Sequence, residues 1–212
     1  MPGLKPGKLP EIDPPGGDAA LDALLADVRA CAICADSLPL GPRPVVRMAK
    51  AARILVIGQA PGTQVHETGL PWNDASGDRL RDWLGLPVDD FYDPAKLAIM
   101  PMGFCYPGRM ARGGDLPPRP ECAPTWHDAL LGHLPDIGLT LLIGQYAQAR
   151  YLGKRRAKTM TQTVYQFADY LPEGILPMPH PSWRNTAWMK KNPWFEADLL
   201  PVLRAKVQAL LG

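Results

Sequence analysis

The sequence has only four cysteines and four histidines in 212 residues, and no run of eighteen apolar residues. The last absence argues against a helix that spans a bilayer. No basic segment is followed by an apolar run and a small-residue cleavage site, so a cytoplasmic location is expected, where thiols stay reduced and free to bind metal. Charge of one sign is also scarce: the net charge of +2 and pI near 8.3 permit nucleic-acid binding without arguing for it. There is no internal repeat, and no G-x-S-x-G elbow surrounds any serine, which removes the usual setting of a serine hydrolase. The dense cluster Lys154, Arg155, Arg156 and Lys158 reads first as a solvated surface.

Proline is abundant. Pro2, Pro6, Pro10, Pro14 and Pro15 stand among glycines in residues 1–17, a composition that cannot propagate helix or sheet and reads as an arm. One domain is expected over 18–212. Leu21, Leu24, Leu25 and Val28 recur at helical spacing, so a helix starting near Asp18 should deliver Cys31 and Cys34 at its end. Apolar runs at 53–57, 97–100, 139–143 and 175–178 read as buried strands, and helical patterns fall at 78–84, 120–133, 146–152 and 195–211. Strands alternating with helices imply an α/β fold: three layers, α/β/α, with a central, mostly parallel four-stranded sheet. Ligands of such sheets bind beyond the carboxyl ends of the strands. The segments Gly58–Gly62 and His180–Arg184 each begin where an apolar run stops.

Cys31 and Cys34 form C-x2-C, and Cys105 and Cys122 flank a loop rich in proline and glycine. Four thiols suit zinc or an iron–sulfur cluster, and a long irregular loop needs such a clip; four unrelated buried thiols are the alternative. Spacing does not separate the two metals.

These cysteines, with G-Q-A-P-G at 58–62, C-Y-P-G at 105–108 and H-P-S at 180–182, resemble the uracil-DNA glycosylase superfamily, in particular its iron–sulfur families four and five, over roughly residues 31–185. The resemblance implies a [4Fe-4S] cluster on Cys31, Cys34, Cys105 and Cys122, with zinc as the lesser alternative. It also implies extrusion of uracil from DNA and hydrolysis of its N-glycosidic bond, leaving free uracil and an abasic site for base excision repair. The chain departs from family four at Gln59, where that family has Glu after the first glycine, and at Val65-His66, which replace an acidic pair. It departs again at Pro101, where the family reads uracil with asparagine. Asp74-Ala75-Ser76-Gly77 and Asn185-Thr186 look like family five instead, which places the catalytic aspartate at Asp74.

Breaking this bond puts positive charge on the sugar and negative charge on the departing base, so the site must supply an anion and a hydrogen-bond donor. His180 is the candidate donor to uracil O2. Asp74 is the candidate for placing water, with helix capping as its alternative role, and Gln59 is the runner-up. Trp72 is expected to stack on the extruded base. Backbone N–H groups around Gly58, Ala60 and Gly62 are expected to read its carbonyls, and Asn73 is a candidate replacement for the missing asparagine. Ser182, Trp183, Arg184 and Asn185 are expected to face the DNA, with Arg184 filling the gap left by the extruded nucleotide and Trp188, Lys190 and Lys191 extending that edge. His66 is a candidate neighbour of the abasic sugar, with ordinary turnover expected and no covalent trapping. His127 and His133 read as structural, and the protein as a monomer. The competing readings are a DNA-damage or abasic-site binder that kept the fold and lost the chemistry, a hydrolase using Ser182, and a zinc-stabilised interaction module.

Overall fold

The computed structural model describes residues 10, 11, 14–111 and 113–212. Four parallel strands, β1 (Ile54–Ile57), β2 (Leu97–Ile99), β3 (Leu139–Ile143) and β4 (Ile175–Met178), form one sheet in the order β2-β1-β3-β4. Ile54 lies opposite both Leu97 and Leu139, and Thr140 lies opposite Ile175. These are the four apolar runs read from the sequence, and the sheet is wholly parallel.

Strand residues alternate between two apolar layers. Ile54, Val56, Leu97, Ile99, Leu141 and Leu176 face one core, while Leu55, Ile57, Ala98 and Leu142 face the other. Because both faces are covered, polar alternation is absent and each strand reads as a continuous apolar run. Ten α-helices are found among the described residues: α1 (Ala19–Arg29), α2 (Thr63–Thr68), α3 (Ala75–Leu84), α4 (Val88–Phe91), α5 (Cys122–Leu131), α6 (Gln145–Leu152), α7 (Met160–Tyr165), α8 (Phe167–Tyr170), α9 (Thr186–Lys191) and α10 (Leu200–Leu211). Leu80 and Trp83 of α3 with Leu203 and Val207 of α10 pack on the first face. Leu21 and Leu25 of α1, Leu130 of α5 and Ala147 of α6 pack on the second. None of the described helices is long and apolar enough to cross a membrane.

The helix read at 195–211 is divided: Phe195–Leu199 is a π-helical turn, and α10 starts with Pro201 in its first turn. Proline donates no backbone hydrogen bond, and a wider preceding turn accommodates the gap. Residues 1–9, 12 and 13 of the expected arm lie outside the described residues. The remainder runs along the start of the domain, where Lys50 N–H donates to Gly16 O (2.6 Å) and the Arg47 guanidinium donates to Glu11 O. The basic cluster sits beside the amino end of β4: Arg155 pairs with Glu173 at 2.5 Å, and the Tyr170 hydroxyl donates to Arg155 O. That is the end of the sheet opposite the strands' carboxyl ends, so this cluster takes no part in the cleft described below.

His127 is structural, as its helical setting suggested. It is fully buried on α5, with Nδ1 2.6 Å from the Tyr151 hydroxyl and Nε2 3.1 Å from Pro101 O. Burial pushes its pKa down to about 4. The unfolded chain takes up a proton near pH 6.5 that the folded chain refuses, so stability is full above pH 6.5 and is lost as pH falls towards 4. The loss attributable to this group is about 3 kcal/mol. Urea titrations at pH 7 and pH 4.5 are expected to show a smaller acid loss in His127→Asn than in wild type, on a lower baseline at pH 7.

Candidate active site

A single cleft opens at the carboxyl ends of β1 and β4. The turn after β1 forms its floor through Gly58, Gln59, Ala60 and Gly62. Met102 N–H donates to Gly58 O (2.9 Å) and Gly103 N–H to Gln59 O (3.0 Å). The peptides are trans, so the N–H groups of Gln59 and Ala60 point the opposite way, away from Met102 and Gly103. The Gln59 side chain has a structural partner: its Nε2 donates to Leu116 O at 3.0 Å, tying the floor to a neighbouring loop and leaving Oε1 and the second N–H.

Trp72 forms a wall, and its backbone adopts φ +55°, the only positive φ at a non-glycine among the described residues. Such a conformation is unfavourable for a large side chain and persists only where the surroundings impose it. The Tyr92 hydroxyl donates to Pro71 O (3.0 Å), and the buried Arg81 donates to Trp72 O (3.2 Å). Two glycines leave room. A Cβ on Gly58 would stand 2.8 Å from the indole, and one on Gly77 would stand 1.7 Å from Trp72 O. The left-handed turn presents the indole to the cleft and sends Asn73 inward, where it is buried and does not line the cleft wall.

Asp74 lines the cleft and also caps α3, both roles weighed for it: Oδ1 accepts the Gly77 N–H at 2.8 Å, leaving Oδ2 for other partners. His180 follows β4, its ring 5.5 Å from that of Trp72 and tilted by 36°. Burial holds its pKa below the ordinary histidine value, against a smaller opposing pull from Asp74. Burial thus favours the neutral ring. Its Nδ1 accepts the Ser182 N–H at 3.2 Å, which puts the remaining proton on Nε2 and makes that atom a donor. Asn185 Nδ2 donates to His180 O (2.7 Å), so Asn185 anchors the histidine backbone while its second N–H and Oδ1 remain.

Ser182 Oγ caps the turn after it by accepting the Arg184 N–H (3.3 Å), a bond that supplies no base to activate a nucleophile. Trp183 is 72% exposed at the rim, with the Arg184 guanidinium 5.7 Å from its ring. Trp188 belongs to the interior side of this edge: its Nε1 donates to Thr161 Oγ1 at 2.7 Å and its ring packs on Trp194 and Phe195. Lys190 and Lys191 are exposed. His66 lies outside the cleft lining, its Nδ1 buried without a hydrogen-bond partner and its ring 6.1 Å from that of Tyr106.

Two charged cleft residues were missed in the sequence, Arg109 and Asp115. They pair as an antiparallel bridge in a loop closed by Leu116 N–H to Gly108 O (2.8 Å) and Met110 N–H to Gly114 O (2.8 Å). Burial pushes the Asp115 carboxyl pKa up, while Arg109 and Arg184 pull it back and Asp74 adds a further push.

Away from the cleft, Cys31, Cys34, Cys105 and Cys122 line one small cavity with Leu38, Phe104 and Trp126. Phe104 N–H points to Cys122 Sγ at 3.3 Å, and the Arg43 backbone N–H serves Cys105. Burial pushes these two thiols up to about 12 and about 11. Among the described residues no group of three or more His, Cys, Asp or Glu is placed to hold one metal ion. The donor set is thus four sulfurs around a shared apolar space, with N–H groups directed at two of them.

Fold and cleft together define an α/β protein with a polar ligand site at the carboxyl ends of a parallel sheet, walled by an aromatic ring, a carboxylate and a neutral imidazole. The model of the Uracil DNA glycosylase superfamily matches residues 46–204. The chain belongs to that superfamily, a family of DNA glycosylases.

Proposed function

We propose that the protein is a uracil-DNA glycosylase that turns a uracil nucleotide out of DNA into this cleft and hydrolyses its N-glycosidic bond. The observation that carries the reading is the His180 ring, neutral and held by the Ser182 N–H so that Nε2 is the donor, in the same cleft as Asp74. As the C1′–N1 bond stretches, negative charge gathers on the uracil O2 and positive charge on the sugar. A neutral Nε2–H stabilises the first without a prior protonation step, and the Asp74 carboxylate stabilises the second. Water adds to C1′, Asp74 Oδ2 accepts its proton, and uracil leaves as the anion and is reprotonated from solvent. Trp72 offers an aromatic face in the same cleft that offsets the stacking lost on extrusion, worth about 1–3 kcal/mol. The Gln59 and Ala60 N–H groups are expected to read the uracil carbonyl oxygens.

We also propose a [4Fe-4S] cluster on Cys31, Cys34, Cys105 and Cys122. Zinc draws four sulfurs to about 2.3 Å of one point, whereas each cysteine of a four-iron cluster binds a different iron. Four thiols that share a cavity but are not gathered for one ion suit the larger group. Bound there, it supplies a cross-link between the end of α1 and the loop 105–122.

The test is base release from an oligonucleotide carrying one uracil, single-stranded and paired with G or A, followed by alkaline strand cleavage. Wild type is expected to cleave and His180→Ala to be slower by about a hundredfold, the scale of a lost charge-stabilising donor. The purified protein is expected to be brown and to contain iron and sulfide. Absence of cleavage on every substrate, with DNA binding retained, would overturn the enzymatic reading in favour of damage binding.

A further inference from the structure

The turn 71–74 brings both the Trp72 indole and the Asp74 carboxylate to the cleft, and the side chains that hold it, Arg81 and Tyr92, lie outside the cleft lining. Arg81, on α3, is 5% exposed. Its Nη1 donates to Trp72 O (3.2 Å) and to the Tyr92 hydroxyl oxygen (3.2 Å), and its Nη2 pairs with Asp78 Oδ1 at 2.5 Å. The Tyr92 hydroxyl donates in turn to Pro71 O (3.0 Å), and burial, which pushes its pKa up to about 12, keeps that proton on the hydroxyl. Two successive carbonyls, those of Pro71 and Trp72, are thus held by one connected pair of buried donors. Burying a guanidinium is costly unless its donors are used, and an apolar side chain of similar volume would fill the space without that cost. What arginine adds is a planar fork that reaches several acceptors at once. One of those acceptors belongs to the tryptophan whose φ is +55°. Released, Trp72 would relax to the negative φ that bulky residues prefer, taking the indole from its place beside His180 and turning Asp74, two residues on.

The geometry points to Arg81 as a positioning residue for base extrusion and cleavage: with Tyr92 it clamps the Pro71 and Trp72 carbonyls, and so sets the Trp72 indole and the Asp74 carboxylate around the uracil. The inference rests on the uracil-DNA glycosylase reading above and adds to it the group that orders two sides of the site before DNA arrives. A face ordered in advance loses less freedom when the base stacks on it.

The experiment compares Arg81→Met, Arg81→Lys, Tyr92→Phe, Trp72→Ala and the Arg81→Met/Trp72→Ala double variant, with a thermal melt for each. Binding is read by anisotropy on a duplex carrying a single 2′-fluoro-2′-deoxyuridine, whose glycosidic bond resists cleavage, and on the same duplex with thymidine in its place. Release from the cleavable uracil duplex is read under single turnover. Arg81→Met is expected to weaken binding of the uracil duplex about tenfold, the scale of a lost stacking face, with the thymidine duplex bound as before. Base release is expected to slow about a hundredfold, the scale of a misplaced catalytic group. Tyr92→Phe keeps the ring and removes one hydrogen-bonding oxygen, and is expected to lose about threefold in uracil binding. Arg81→Lys keeps the charge without the fork and is expected to recover only part of the loss. The double variant is expected to bind the uracil duplex no worse than Trp72→Ala alone, as residues acting through one another do.

Equal losses on the uracil and thymidine duplexes would overturn the inference, because Arg81 would then serve stability or general DNA contact alone. Losses from Arg81→Met and Trp72→Ala that multiply in full would also overturn it, by placing the action of Arg81 elsewhere. If Arg81→Met does not fold, Tyr92→Phe decides: a protein that melts, binds uracil and releases it as wild type does refutes the clamp. Wild-type protein that prefers the uracil duplex without releasing uracil would instead sink the enzymatic reading, and the binding arm would still decide the role of Arg81.

Discussion

Asp74→Asn is expected to slow uracil release by at least about a hundredfold while leaving the thermal midpoint nearly unchanged, because the two carboxylate oxygens have separable tasks. Oδ1 accepts the Gly77 N–H at the start of α3, and asparagine caps helices as well as aspartate does. What is lost is the anion: a neutral amide neither takes a proton from water nor stabilises a cationic sugar. Asp74→Ala removes both functions and is expected to cost about 1 kcal/mol in addition, the usual worth of an N-cap. Single-turnover kinetics with excess enzyme, alongside melting curves for all three proteins, read the two effects separately. Unchanged rates in Asp74→Asn would shift the water-placing role to Gln59, whose Oε1 remains when Nε2 is bound to Leu116 O.

The second large effect is expected at a residue that touches no substrate. Gly77→Ala would put a methyl group 1.7 Å from the Trp72 carbonyl oxygen, and neither partner can move aside, since one is helical backbone and the other a backbone carbonyl already receiving Arg81. Trp72 would have to abandon its left-handed conformation, and with it the wall beside His180. The substitution is expected to cost about 3 kcal/mol or more, lowering the thermal midpoint by roughly 6 °C or more in a chain of this length. Any folded fraction is expected to lose base release through KM and kcat together. A Gly77→Ala protein that melts like wild type and turns over normally would show that the Trp72 conformation is not imposed by this contact.

The strands were legible because burial on both faces makes them runs of mostly apolar residues with no competing pattern, as Ile54–Ile57 shows. The segments at 58–62 and 180–184 were legible because they begin where such runs end, and the structure brings Gly58, Gln59, His180 and Arg184 to one cleft. Short α2 was not, since Thr63–Thr68 buries only Val65 and has too few turns to show a period. The burial of Asn73 was not legible, because it follows one left-handed residue, Trp72, and nothing in the local pattern announces that conformation at a tryptophan. Arg109 and Asp115 were missed for a different reason. Their loop has no periodicity of its own, and its place at the cleft depends on Gln59 and Arg184, distant in sequence. The paired glycines Gly113-Gly114 beside Asp115 were the available signal.

That loop leaves and re-enters the domain at almost one point, since Leu116 N–H donates to Gly108 O at 2.8 Å. Its outward residues Met110 and Leu116 are 46% and 39% exposed. A segment with adjoining ends and little buried surface behaves as an exchangeable cassette: its length and composition can drift with little entropic cost to the sheet, because closure entropy grows only slowly with length. This part of the cleft rim is therefore free to diversify while the apolar frame beneath it stays fixed, which makes the rim residues Arg109, Met110, Gly114 and Asp115 the natural place to graft a different substrate preference.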